Sequence, residues 1–128
     1  MRLLLDTHAL LWFLNDDPKL SATAKSAIED PANERFLSPA CLVEIALKVR
    51  LGKLPLKVPF SALFPAALTT NDIHLLPLEA GHIEPLTTLP LHHRDPFDRL
   101  VAATALVEGL TVVSVDGAFD AYGIARLW

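Results

Sequence analysis

The sequence predicts an α/β domain built on a largely parallel sheet, and three observations carry that reading. Short Leu-rich or β-branched runs alternate with helix-length segments along the whole chain, which is the pattern of strands joined by helical crossovers. Residues 2–5 and 111–115, the clearest strand candidates, each stop at an aspartate, Asp6 and Asp116. Helix candidates open on Ser or Asp followed by Pro and close on Gly, as Ser38-Pro39 with Gly52 and Asp95-Pro96 with Gly109 do. Those are the favoured capping residues at the two ends of a helix.

The elements follow in order. Arg2–Leu5 reads as a buried strand and Thr7–Leu14 as a helix stopped by Asn15-Asp16-Asp17-Pro18. Ser21 begins a second helix that reaches about Glu29. A short strand covers 35–37, and the helix opened by Ser38-Pro39 runs to about Leu51. A further helix is predicted over 60–70, with Pro65 kinking it or shifting its start. Residues 73–76 read as a strand, followed by a weak helix interrupted at Pro85. The late helix spans 97–108, the strand 111–115 follows, and a short helix and a strand at 125–127 finish the chain. Residues 1–128 read as one domain, without a repeat, low-complexity tract or flexible linker.

Composition narrows the class. Of 128 residues 52% are hydrophobic and 20% charged, the profile of a chain that buries a core. The single cysteine, Cys41, excludes a disulfide framework or a cysteine zinc site and reads as a small buried residue. No signal-like or membrane-length apolar run is visible, so the sequence predicts a cytoplasmic protein. A net charge of −4 disfavours a broad basic nucleic-acid face. Even so, Lys48, Arg50, Lys53 and Lys57 are clustered, and Arg94 and Arg99 flank Asp95 and Asp98. The histidines lack metal-ligand spacing, and they are read as structural or surface residues.

The acids carry the chemistry. In an open α/β sheet ligands bind beyond the carboxyl ends of the strands, which is where Asp6 and Asp116 stand. Each could instead serve only as a helix cap. Glu44 lies among Leu42, Val43, Ile45, Ala46 and Leu47, a setting that buries a carboxylate and demands a partner or a metal. Lys48, one turn on, offers an i,i+4 pair. Asp95 reads as the cap of the late helix, and Asp98, one turn inside, can reach toward the strand ends.

The segments Leu4-Leu5-Asp6-Thr7-His8-Ala9-Leu10-Leu11-Trp12, Ser38-Pro39 through Glu44-Ile45-Ala46-Leu47-Lys48, His93-Arg94-Asp95-Pro96-Phe97-Asp98-Arg99-Leu100 and Val113-Ser114-Val115-Asp116 together resemble the PIN-domain family. More narrowly they resemble the VapC toxins of bacterial toxin–antitoxin pairs. The resemblance extends over nearly the whole chain and implies a three-layer sandwich with a central, mostly parallel sheet. Matched position by position, it assigns Asp6, Glu44, Asp98 and Asp116 as catalytic and metal-holding residues. Thr7 and Ser114 match small hydroxyl positions that order the site in relatives. Val43 departs from the tryptophan frequent in close relatives, a change in packing rather than chemistry.

That family membership would imply a magnesium- or manganese-dependent endoribonuclease. Divalent ions neutralise the phosphate and activate water, and magnesium needs only one or two direct carboxylates. Asp6 and Asp98 are expected to contact metal, with Glu44 and Asp116 completing the shell or orienting water. Thr7, Lys48, Arg94, Arg99 and Ser114 are candidate contacts to RNA phosphate or salt bridges in the site. The resemblance also implies a homodimer and a cognate antitoxin that blocks the site. Trp12 and Trp128 fit either packing or a contact surface. A haloacid-dehalogenase-like phosphatase would need an acid two residues after Asp6, where His8 stands. The alternative from another class is a PIN-type module that binds RNA or protein without cutting.

Overall fold

A computed structural model describes residues 1–128. Its centre is a five-stranded, fully parallel sheet of β1 (Arg2–Leu5), β2 (Glu34–Leu37), β3 (Ile73–Leu75), β4 (Thr111–Val113) and β5 (Arg126–Leu127), in the order β3-β2-β1-β4-β5. Helices flank it: α1 (Thr7–Leu14), α2 (Ala22–Glu29), α3 (Pro39–Arg50), α4 (Phe60–Leu63), α5 (Ala66–Thr70), α6 (Ala80–Ile83) and α7 (Pro96–Glu108). The expected α/β architecture is thus present. No helix is long and apolar enough to cross a membrane.

β1 is the middle strand, and Leu3, Leu4 and Leu5 are completely buried. Covering both faces of a parallel sheet requires such a continuous apolar run, and each leucine contributes roughly 1.5–3 kcal/mol. Beside it, Val112 and Val113 of β4 are equally buried. α7 buries five consecutive residues, Val101 through Ala105, and its small side chains allow the close packing this requires. Asp95 caps that helix, and Gly109, at φ 66°, ends it in the left-handed conformation where glycine is favoured. The winding reverses once: from β1 it proceeds outward to β2 and β3, then returns to β4 on the other side of β1. The carboxyl ends of β1 and β4 therefore form the switch point where an open parallel sheet binds ligands.

Several expectations change in detail. The helix predicted over 60–70 is two short helices, because Pro65 lacks an amide donor and constrains Phe64 to an extended conformation. The weak segment around Pro85 is α6 followed by a 3₁₀ turn over Glu84–Thr87. The strand expected over 111–115 ends at Val113. Ser114 and the exposed Val115 then lead out of the sheet, so Asp116 stands beyond the strand end instead of directly on it. It caps a 3₁₀ helix over Gly117–Tyr122.

Arg35 is a buried cation in β2 whose importance the sequence does not display. Its guanidinium donates to the backbone oxygens of Ile28 and Asp30 at 3.1 and 2.9 Å and to Asp72, fastening the end of α2 to the turn before β3. Replacing it leaves those buried carbonyls without donors, at a cost that exceeds the lost attraction. Arg35→Met, which keeps the apolar stem, is expected to lower stability by about 2–4 kcal/mol in urea unfolding. A change below about 0.5 kcal/mol would contradict this role.

Candidate metal centre

Three of the acids are positioned by backbone caps. Asp6 follows β1 and caps α1, accepting from the Ala9 amide at 2.8 Å. Asp95 caps α7 by accepting from the amides of Phe97 and Asp98 at 2.7 and 3.4 Å. Asp116 accepts from the Ala118 amide at 2.9 Å. Capping satisfies free amides and sets an anion against the positive end of a helix. For Asp6 it leaves the second carboxylate oxygen available for other work, and for Asp116 the second oxygen lies against His93. Capping and site membership are therefore compatible at these positions, although the sequence presents them as alternatives.

Together with Glu44 and Asp98, these acids line one cavity of about 380 Å³, whose remaining walls are Thr7, His8, Lys48 and Val115. Asp6, Glu44, Asp98 and Asp116 thus converge from β1, α3, α7 and the segment after β4. Glu44 is 6% exposed. It accepts from the Thr7 hydroxyl at 2.5 Å on one oxygen and from the Lys48 ammonium at 2.6 Å on the other. The i,i+4 pair is present, and it faces the cavity. That pairing raises the Lys48 pKa, chiefly through the Glu44 hydrogen bond.

Electrostatics separates the acids. Burial pushes the Asp6 carboxyl up against the lowering effect of hydrogen bonds from Ser114 and the Ala9 amide. Asp98 is raised to about 6, first by burial and next by the neighbouring charge of Asp95, with smaller effects from Glu44 and Asp6. Burial also acts on Asp116, but the Ala118 amide and His93 outweigh it, so this carboxyl lies below its ordinary value. Five carboxylates share the cavity with one lysine. Closely spaced anions without compensation disfavour their own ionisation, and hard oxygen donors of this kind suit magnesium or manganese. The donor set fits a divalent cation.

Ser114 and His93 hold the Asp116 side of the site. The buried Ser114 hydroxyl accepts from the Asp116 amide at 3.0 Å and lies close enough to Asp6 to lower its carboxyl. His93, also buried, lies 2.7 Å from Asp116 through Nε2 and 2.8 Å from the Tyr122 hydroxyl through Nδ1. With Phe119 packed against its ring, the imidazole is fixed in place. His93, Asp98 and Asp116 can each bring a ligand atom within 4.8 Å of the others. Because both ring nitrogens of His93 are engaged, its geometry is that of a support for Asp116. A loop residue without helical or strand periodicity gives no local sign of this, and Tyr122 gives none either. His8 on the cavity wall was likewise invisible without the fold.

The candidate phosphate contacts divide. Thr7 and Lys48 line the cavity and are committed to Glu44. Ser114 is buried behind it. Arg94 is exposed and adjoins Asp95 in sequence but is not part of the lining. Arg99 is placed elsewhere: its guanidinium donates to the carbonyls of Leu86, Leu89 and Pro90, which anchors the segment before α7 and leaves it unsuited to the expected phosphate contact. Cys41 is buried as expected, with burial pushing its thiol up to about 12, so it is not a nucleophile.

Residues 3–125 match the family model described as PIN domain. No curated protein matches the chain in sequence. Similar folds occur in a structure of VapBC2 from Rickettsia felis bound to a DNA fragment from its promoter, at TM-score 0.73 and 18% identity over 98% of this chain and 97% of that one. VapBC-1 from nontypeable Haemophilus influenzae gives 0.63 and 18%, covering 98% and 96%. FitAcB from Neisseria gonorrhoeae gives 0.58 and 21%, covering 97% and 95%. At these identities the likeness is one of fold, while the family model spans all but the chain's ends: the chain belongs to the PIN-domain family.

Proposed function

We propose that this chain is a divalent-metal-dependent endoribonuclease, the toxin of a VapBC-type toxin–antitoxin pair. The PIN-domain family is one of nucleases, and the observation that carries the reading is the cavity itself. Four carboxylates from separate elements, with Asp95 beside them, face one space that holds a single ammonium group. The VapBC and FitAB assemblies among the similar folds support an antitoxin as partner. By the same reading the protein is a homodimer acting in the cytoplasm.

Asp6 and Asp98 would supply direct carboxylate ligands to magnesium or manganese. Glu44, held by Thr7 and Lys48, and Asp116, held by His93 and the Ala118 amide, would complete the donor set or orient water. When present, the cation supplies charge neutralisation at the phosphate and a more acidic water. Lys48 presents its ammonium toward the cavity, where it offsets Glu44 and favours an incoming phosphodiester. His93 orients Asp116 and keeps that carboxylate ionised. Supports of this kind typically contribute 10–100-fold to affinity or activity.

Cleavage of RNA in magnesium by the protein freed of any antitoxin is the primary test. Asp6→Asn and Asp98→Asn are each expected to lower the rate at least about 100-fold, and EDTA to abolish it until manganese or magnesium is restored. Undiminished cleavage by either variant, or in EDTA, would defeat the assignment. A binding module without catalysis would retain RNA in every variant and cut it in none.

The raised Asp98 carboxyl gives a second expectation, on stability. Its folded value of about 6 exceeds the unfolded value of about 3.9, so between them the native state holds the extra proton. The favourable contribution is complete below about pH 4 and is lost as pH rises through 6. In EDTA, Asp98→Asn should therefore melt higher than the parent above pH 6, and the difference should grow from pH 4 to 6 and then level off. A melting difference independent of pH would contradict the shift.

A further inference from the structure

His8 lies on the cavity wall, is exposed, and has no hydrogen-bonding partner in the site. Its ring centroid is 5.5 Å from that of Trp12, one turn further along α1, and Trp12 is 5.8 Å from Trp128. Trp128 follows β5 directly, and because the sheet is parallel, the carboxyl end of β5 faces the same edge as those of β1 and β4. Three aromatic rings thus run outward from the candidate metal centre, and Lys19 places its ammonium 6.0 Å from the centroid of Trp12. Both tryptophans are half-buried and pack against the core, so they give His8 a rigid backing.

We infer that His8, backed by Trp12 and Trp128, is a stacking platform for a base of single-stranded RNA next to the phosphate held in the cavity, with Lys19 meeting the backbone. The inference rests on the ribonuclease reading. Single-stranded nucleic acid is bound by aromatic surfaces flanked by cations, because every base has a π-face and every linkage a charge. An acidic cavity repels the RNA backbone until cations fill it, so attachment beside the cavity has to come from uncharged stacking and from nearby lysines. A flexible single strand can bring a base onto His8 while its phosphate enters the cavity. A paired base, stacked between its neighbours, cannot.

The chain's two tryptophans both belong to this row, so its intrinsic fluorescence reports on it directly. Trp128→Phe, leaving Trp12 as sole reporter, is titrated in an Asp98→Asn background with a single-stranded oligouridylate and with an abasic ribose-phosphate oligomer of equal charge. The oligouridylate should quench Trp12, whereas the abasic oligomer should bind more weakly and leave the emission unchanged. His8→Ala should weaken oligouridylate binding about tenfold, and His8→Phe should restore it. Lys19→Ala should reduce the slope of log affinity against log salt by about 0.7. In the active protein, His8→Ala should raise KM about tenfold with kcat within about threefold.

Equal quenching by both oligomers, or an unchanged KM in His8→Ala, would overturn the platform while metal-dependent cleavage stood. Quenching by an antitoxin peptide but by no RNA would assign the row to the partner and overturn it as well. Absence of metal-dependent cleavage by the parent protein would instead remove the ribonuclease reading on which the platform rests.

Discussion

Mutual repulsion among carboxylates at the switch point of a parallel sheet is the constraint on which the rest of this structure turns. Five acids face a single cavity, with Lys48 as their one ammonium neighbour. Such a cluster is costly, since each ionised group disfavours the next, and the Asp98 carboxyl is raised first by burial and then by the neighbouring charge of Asp95. The fold holds it together by fastening each acid from behind. Asp6, Asp95 and Asp116 are held by helix-start amides, Glu44 by Thr7 and Lys48, and Asp116 further by His93. Asp98 is held mainly by the helix that carries it.

This unequal treatment gives the acids different chemistry. Asp116 is kept ionised by its donors, and Glu44 is matched by a neighbouring ammonium. Asp6 and Asp98 are the two that are pushed upward, in both cases chiefly by burial. They are accordingly the ones with most to gain from a cation. Ser114 stands between the two sides: it accepts from the Asp116 amide and its nearby hydroxyl lowers the Asp6 carboxyl. The same economy appears in the aromatic row: α1 carries Thr7 toward Glu44, His8 to the cavity wall and Trp12 to Trp128 within two turns.

Much of this was legible in the sequence because the signals were local. Strand runs, capping residues and proline or glycine stops predict most of the elements, and acids following strands point to the functional edge. Glu44 stood out because an apolar helix face is an expensive place for a carboxylate. What stayed hidden depends on tertiary contact. His93 lies in a loop, and nothing near it in sequence announces Asp116 or Tyr122. Arg99 resembles a phosphate ligand beside the acids until the fold turns it toward the carbonyls of Leu86, Leu89 and Pro90. The strand after Thr111 seemed to reach Asp116 because Val115 is β-branched. Its exposure, outside the sheet, reflects a turn that strand propensity alone does not reveal.

Diffraction from crystals soaked in manganese, collected for its anomalous signal, tests the central claim most directly. The account predicts a peak inside the cavity at roughly 2.0–2.2 Å from carboxylate oxygens of Asp6 and Asp98, and its loss in Asp98→Asn crystals. Millimolar manganese that leaves this cavity without a peak, or settles only at other carboxylates, would contradict it.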